Sequence, residues 1–189
     1  MFDLVRLGRV LAGASLAPRV SVLDEVRTTF VVGPGDADAN RHLNNGRYLQ
    51  LMDLARFALV VQGGLGGVVL RRRWTPILAG AQLEFLREIP LFASFSIRSR
   101  IVSWDTRWFY IEQRFERGGR VVAIGRVQGQ FRGEKGRVAP SEVLAELGPV
   151  PPAPPLPEAF ARAFAGRTPR EPFITIIMDD LPGLGSFAA

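Results

Sequence analysis

The sequence predicts an α+β fold, an antiparallel β-sheet wrapped around one long central helix, and three observations carry that expectation. Residues 45–62 place Tyr48, Leu51, Met52, Ala55, Ala58 and Leu59 on one helical stripe, while Leu49, Leu54, Phe57 and Val60 lie off it. A helix that is apolar nearly all round has to be enclosed rather than laid on a surface. Between residues 77 and 131 the apolar period then changes from helical to alternating, as in strands. Nothing else in the chain is large enough to bury the helix, so one sheet must cover it.

In chain order, residues 1–20 form an N-terminal segment expected to hold a short helix. Asp3, Arg6 and Arg9 interrupt its apolar residues, leaving neither a secretion signal nor a bilayer-spanning run. Packing on the domain is the favoured reading of residues 1–18, ahead of membrane contact through Phe2, Val5, Leu7 and Leu11. Residues 24–32 read as a strand in which Val26, Thr28, Phe30 and Val32 alternate with Arg27 and Thr29, stopped by Gly33-Pro34-Gly35. The central helix is expected from Asn45 to Gln62, about 27 Å at ~1.5 Å per residue, closed by Gly63, Gly64, Gly66 and Gly67.

Strand-like segments follow at 68–88, interrupted by Trp74 and Pro76, and at 92–104, 107–117 and 121–131. Gly118-Gly119 marks a two-residue hairpin between the last two. Ser141 to Leu147 reads as a short helix stopped by Gly148. The main domain is therefore placed at 21–148. Residues 149–189 are a tail: an extended linker with six prolines from Pro149 to Pro157, a short helix from Glu158, and a final stretch of twenty or so residues expected to be weakly structured.

Composition narrows the chemistry. There is no cysteine and one histidine, which removes disulfides, thiolate nucleophiles and zinc–thiolate sites, so neither a metal nor another cofactor is expected. The net charge of +6 favours an anionic ligand. Lys135 is the only lysine, and the arginines do not combine with aromatics into a nucleic-acid motif, so nucleic acid is not an expected partner. The cysteine count does not fix the compartment; cytoplasmic is the simpler default.

The polar residues gather ahead of the helix. Asp36, Asp38, Asn40, His42, Asn44 and Asn45 crowd one loop, and Asn44 or Asn45 can cap the first turn by accepting from its open N–H groups. Two carboxylates and the sole histidine are thereby delivered to the positive end of a buried helix.

The pattern Asp36-x-Asp38-x-x-x-His42-x-Asn44-Asn45-x-x-Tyr48, ahead of a buried helix and four strands, resembles the hotdog-fold thioesterases of the 4-hydroxybenzoyl-coenzyme A type. Trp104-Asp105 and the strand Phe109-Tyr110-Ile111-Glu112-Gln113-Arg114-Phe115 resemble the branch around thioesterase superfamily member six and its bacterial relatives. The resemblance covers about residues 21–148. It implies a homodimer, or a dimer of dimers, whose sheets join edge to edge with acyl-coenzyme A sites at the interface. It also gives the catalytic role to the second aspartate of the pair, here Asp38. Arg41 departs from the pattern, since the related motif usually has glycine before the histidine. A side chain there is expected to alter the loop or narrow the pocket.

On this reading Asp38 activates water or attacks the thioester, and backbone N–H groups near Asn45 and Gly46 polarise its carbonyl. The alternative for Asp38 is an Asx-turn that only shapes the loop. Asp36 is read as a loop-shaping or substrate-side group, because only one of two alternate residues can face a pocket. His42 either titrates or is a hydrogen-bonded structural residue, the second being favoured. Asn44 and Asn45 are most economically caps, with contact to the thioester as the lesser option, and Tyr48 belongs to the core one turn into the helix. Asp53 and Arg56 are expected to pair with each other or across subunits, with a second acid in the pocket as the lesser option for Asp53, and Glu84 needs a partner if buried. Arg71, Arg72 and Arg73 either meet the phosphates of coenzyme A or are a solvated run. The expected function is acyl-coenzyme A hydrolysis; the alternative is a non-catalytic protein that binds acyl-coenzyme A or an acyl chain.

Overall fold

The computed structural model describes residues 4–165 and, by backbone alone, residues 173–178. Helix α1 (Leu4–Leu16) leads into strand β1 (Val26–Val31) and the polar loop, and helix α2 (Asn45–Gln62) follows. Helix α3 (Gly66–Arg72) precedes strands β2 (Thr75–Phe85), β3 (Ser94–Trp104), β4 (Phe109–Arg117) and β5 (Arg120–Gly133). The short strand β6 (Gly136–Val138) and helices α4 (Pro140–Ala145) and α5 (Glu158–Ala163) come next, then strand β7 (Phe173–Met178).

The sheet runs β1-β3-β4-β5-β2-β7, antiparallel throughout except that β7 lies parallel to β2. Its inner face encloses α2. Tyr48, Leu51, Met52 and Ala55 of the helix pack among Phe30, Leu83, Phe85, Phe95 and Phe115 of four strands. The Tyr48 ring sits 4.7 Å from Phe85 and 4.8 Å from Phe115, centroid to centroid. Burying each leucine, methionine or phenylalanine of this set is worth roughly 1.5–3 kcal/mol, which is why so apolar a helix ends up sheathed. At Gly125 of β5 a Cβ would stand 2.3 Å from Met52 Cε, so any side chain there requires the Met52 side chain to move.

One polar group crosses this interface. Gln113 is wholly buried on the inner face of β4; its Nε2 donates to Met52 C=O at 3.0 Å and to Ser99 Oγ at 2.9 Å, and its Oε1 accepts from Arg56 Nη1 at 2.7 Å. These bonds fix the helix along and around its axis, which apolar contacts alone do not do. The Gly118-Gly119 hairpin has both φ angles positive, 55° and 75°, as a turn matched to strand twist requires.

The structure departs from the sequence reading in two places. Residues 66–72 are helical rather than the start of a strand: Gly63 and Gly64 end α2, but Gly66 and Gly67 open α3. Leu65 and Val68, three apart, bury beside Trp74, Trp104 and Phe131, and that burial outweighs the low helix propensity of glycine. The weak structure expected for the last twenty or so residues does not hold for 173–178, which extend the sheet at β2; the rest of that stretch lies outside the described residues. The proline linker carries no regular structure and is tied down where Ser103 Oγ donates to Pro154 C=O at 2.7 Å. Helix α1 packs on the domain through Leu7, Val10 and Ala14. No single helix among the described residues is long and apolar enough to cross a membrane.

Candidate active site

The loop from Gly33 to Asn44 is shaped by its carboxylates. Asp36, 2% exposed, takes hydrogen bonds from the Gly33 amide at 2.9 Å, from Arg6 Nη1 at 2.8 Å and from Arg47 Nε at 2.9 Å. Burial alone would raise its pKa, but Arg6, the Gly33 amide and Arg47 outweigh it and hold the carboxyl at about 2. The loop is thereby clamped between α1 and the first turn of α2. Both Asp36 oxygens are taken up by these partners, the loop-shaping role of the two weighed for it.

Asp38, two residues on, is half-buried. Its Oδ1 accepts from the Asn40 amide at 2.9 Å and the His42 amide at 3.3 Å, and its own N–H donates to His42 C=O at 2.9 Å. This is the Asx-turn weighed as the alternative, and it occupies one oxygen. Among the described residues nothing donates to Oδ2. The Tyr48 hydroxyl feels the same carboxylate: burial first, then the charges of Asp38 and Glu88, push its pKa well above the ordinary value, so it stays protonated. Tyr48 thus belongs to the core by its ring and to the loop by its hydroxyl.

Asn44 is the N-cap of α2, its Oδ1 accepting from the Gly46 amide at 2.9 Å. That bond takes up one of the two amides expected to face a carbonyl. The Asn45 amide has no acceptor among the described residues and lies at the exposed end of the helix, where the macrodipole is positive. His42 Nδ1 lies 3.3 Å from Glu88 Oε2, and the His42 backbone bridges to Pro90.

Arg41 adopts φ 62°, the left-handed conformation that favours glycine, which explains why related motifs place glycine there. The loop keeps its turn, and the Arg41 side chain is exposed instead of narrowing a pocket. Arg71, Arg72 and Arg73 are not brought to this loop. They sit past the far end of α2, where Arg71 and Arg72 share Glu146 at 3.0 and 2.9 Å and Arg73 lies 3.7 Å from Glu134.

An apolar cavity of about 310 Å³ lies between the second half of α2 and the sheet, with Phe57, Leu78, Ile111 and Val127 in its wall. Asp53 and Arg56 supply its charged groups and are paired with each other. Burial draws the Arg56 pKa down to about 10, and Gln113 shares the guanidinium. No residue of 36–46 lines the cavity. Glu84 is likewise paired, with Arg126 at 2.8 Å. No group of three or more histidine or acidic side chains suited to a metal occurs among the described residues.

The sequence reading missed Arg6, Arg47, Glu88 and Gln113. Gln113 had a signal, a polar residue at an inward position between Ile111 and Phe115. For Arg6 no local signal exists, because its partner lies thirty residues away.

The sequence profile of the thioesterase-like superfamily matches residues 32–164. Protein THEM6 of Xenopus laevis is 36% identical over 112 residues, 59% of this chain and 54% of that protein. Thioesterase lcsJ of Purpureocillium lilacinum is 32% identical over 152 residues, 65% of this chain and 48% of that protein. The chain spans about half the length of these curated relatives. Among solved structures, a gentisyl-coenzyme A thioesterase superposes with a TM-score of 0.55 at 22% identity, over 64% of this chain and 97% of that one. The YbaW probable thioesterase of Escherichia coli gives 0.56 at 20%, over 64% and 93%. At these identities the likeness carries the fold, the hotdog fold. The profile spans well over half of the residues, and the chain belongs to the thioesterase-like superfamily.

Proposed function

We propose that this protein hydrolyses acyl-coenzyme A thioesters with Asp38 as the base or nucleophile. The observation that carries the reading is the occurrence, at one helix terminus, of a carboxylate oxygen to which nothing among the described residues donates and of an amide that has no acceptor among them. As general base, Asp38 Oδ2 takes a proton from water as the water oxygen attacks the thioester carbon. The Asn45 amide, backed by the dipole of α2, stabilises the oxyanion. Collapse of the tetrahedral species breaks the C–S bond; the thiolate leaves and is protonated, and the acid is released.

The cavity suits the acyl group. Asp53, at its wall, is eight residues along the helix from Asn45, about 12 Å at ~1.5 Å per residue, and the loop contributes nothing to the lining. We therefore infer a homodimer or dimer of dimers in which the acyl group reaches a site shared between copies. The setting we infer is cytoplasmic, where a highly charged thioester is free to diffuse.

Release of free thiol from a panel of aromatic and fatty acyl-coenzyme A thioesters tests the reading. Turnover of one class well above the uncatalysed rate is expected. Saturable binding with no thiol released over long incubation replaces the enzyme with the non-catalytic acyl-coenzyme A binding protein.

A further inference from the structure

Three non-glycine residues among those described hold left-handed backbone. Arg73 closes helix α3, where that conformation is a common way to end a helix. The other two, Arg41 at φ 62° and Phe92 at φ 65°, meet at the rim of the Asp38 loop. The Leu91 amide donates to Arg41 C=O at 2.7 Å, and the Phe92 amide donates to Val32 C=O at 2.9 Å. His42, next to Arg41, bridges to Pro90.

Left-handed backbone is unfavourable for any residue with a Cβ, and most of all for a bulky one. Neither side chain gains burial in return, since Arg41 is exposed and Phe92 is 66% exposed. Arg41 has no ion-pair partner among the described residues, whereas the Glu88 carboxylate lies 3.3 Å from Nδ1 of the neighbouring His42. A large exposed aromatic ring and an unpaired guanidinium are thus fixed on adjoining backbone beside the carboxylate assigned to catalysis. A phenyl face stacks on a flat heterocycle, and a guanidinium forks onto phosphate oxygens.

We propose that Arg41 and Phe92 bind the nucleotide end of the thiol carrier, Arg41 through a phosphate and Phe92 by stacking on the base. This rests on the thioesterase reading and adds the residues that recognise the carrier rather than the acyl group.

Glycine variants suit the test, because Arg41→Gly and Phe92→Gly keep a backbone that glycine adopts without strain. Each is compared with wild type on two substrates sharing one acyl group, the coenzyme A thioester and the N-acetylcysteamine thioester, which lacks the nucleotide. The ratio of kcat/KM between them should fall about tenfold in each variant. The Kd for coenzyme A itself, by calorimetry, should rise by a similar factor. An unchanged ratio with unchanged Kd overturns the proposal, as does wild-type protein that does not bind coenzyme A. If wild type hydrolyses neither thioester, the thioesterase reading fails, while the Kd comparison still decides the roles of Arg41 and Phe92.

Discussion

Replacing Asp36 with asparagine removes the charge on which the loop is anchored and keeps the side-chain shape. The wild-type carboxyl is held at about 2 against an ordinary 3.8, roughly 1.8 units, and at ~1.36 kcal/mol per unit that is about 2 kcal/mol. Arg6 and Arg47 keep 23% and 22% side-chain exposure. Water therefore shares in solvating the cations left behind, and the loss stays near 2 kcal/mol rather than the ~3–5 kcal/mol of a fully buried broken pair. Because the folded-state pKa is depressed, the contribution is complete above the unfolded value and disappears as pH falls through the folded one. Urea unfolding of wild type and Asp36→Asn should differ by about 2 kcal/mol at pH 7 and pH 5. The gap should be roughly halved at pH 3 and lost below pH 2. A variant as stable as wild type at neutral pH, or a gap that does not change between pH 5 and pH 2, refutes the idea that this ion cluster holds the loop.

Two further substitutions separate the roles of the interior. Gln113→Leu leaves Arg56, Ser99 and the Met52 carbonyl short of partners at the helix–sheet contact. It should cost about 2–4 kcal/mol, read as a lowered Tm, and an unchanged Tm contradicts the structural role given to that amide. Gly129→Val adds three carbons to the cavity wall, where the new Cβ meets only Ile77 C=O at an ordinary 3.5 Å. At about 30 Å³ per heavy atom this fills roughly a third of the space. The longest acyl chain turned over should shorten by two or three carbons, and an unaltered chain-length profile removes the cavity from substrate binding.

The architecture was legible because its signals are local. A helix apolar on every side states its own burial, and the alternation around Phe109, Ile111 and Phe115 states which face of β4 covers it. The hairpin at Gly118-Gly119 is written in residue types with few other uses, and residue type narrows the cap to Asn44 or Asn45, of which the structure uses Asn44. What was not legible depends on partners distant in sequence. The clamp on Asp36 needs Arg6 from α1, and the His42 contact needs Glu88 from the turn after β2. Helix α3 was hidden by its own glycines, since Leu65 and Val68 favour it only once Trp104 and Phe131 are in place. Arg41 was visible as a departure from a pattern, but a φ of 62° is what gives that departure its physical meaning.

The account depends on the carboxylate of Asp38 acting at the amino end of α2, and single-turnover hydrolysis by Asp38→Asn tests that most directly. Asparagine keeps an Oδ1 able to accept from the Asn40 and His42 amides, so the loop and the Tm should be retained. On a thioester the wild type turns over, the chemical step should slow by about 10²–10⁴-fold, with coenzyme A binding unaffected. A folded Asp38→Asn protein that hydrolyses the thioester at the wild-type rate contradicts the account.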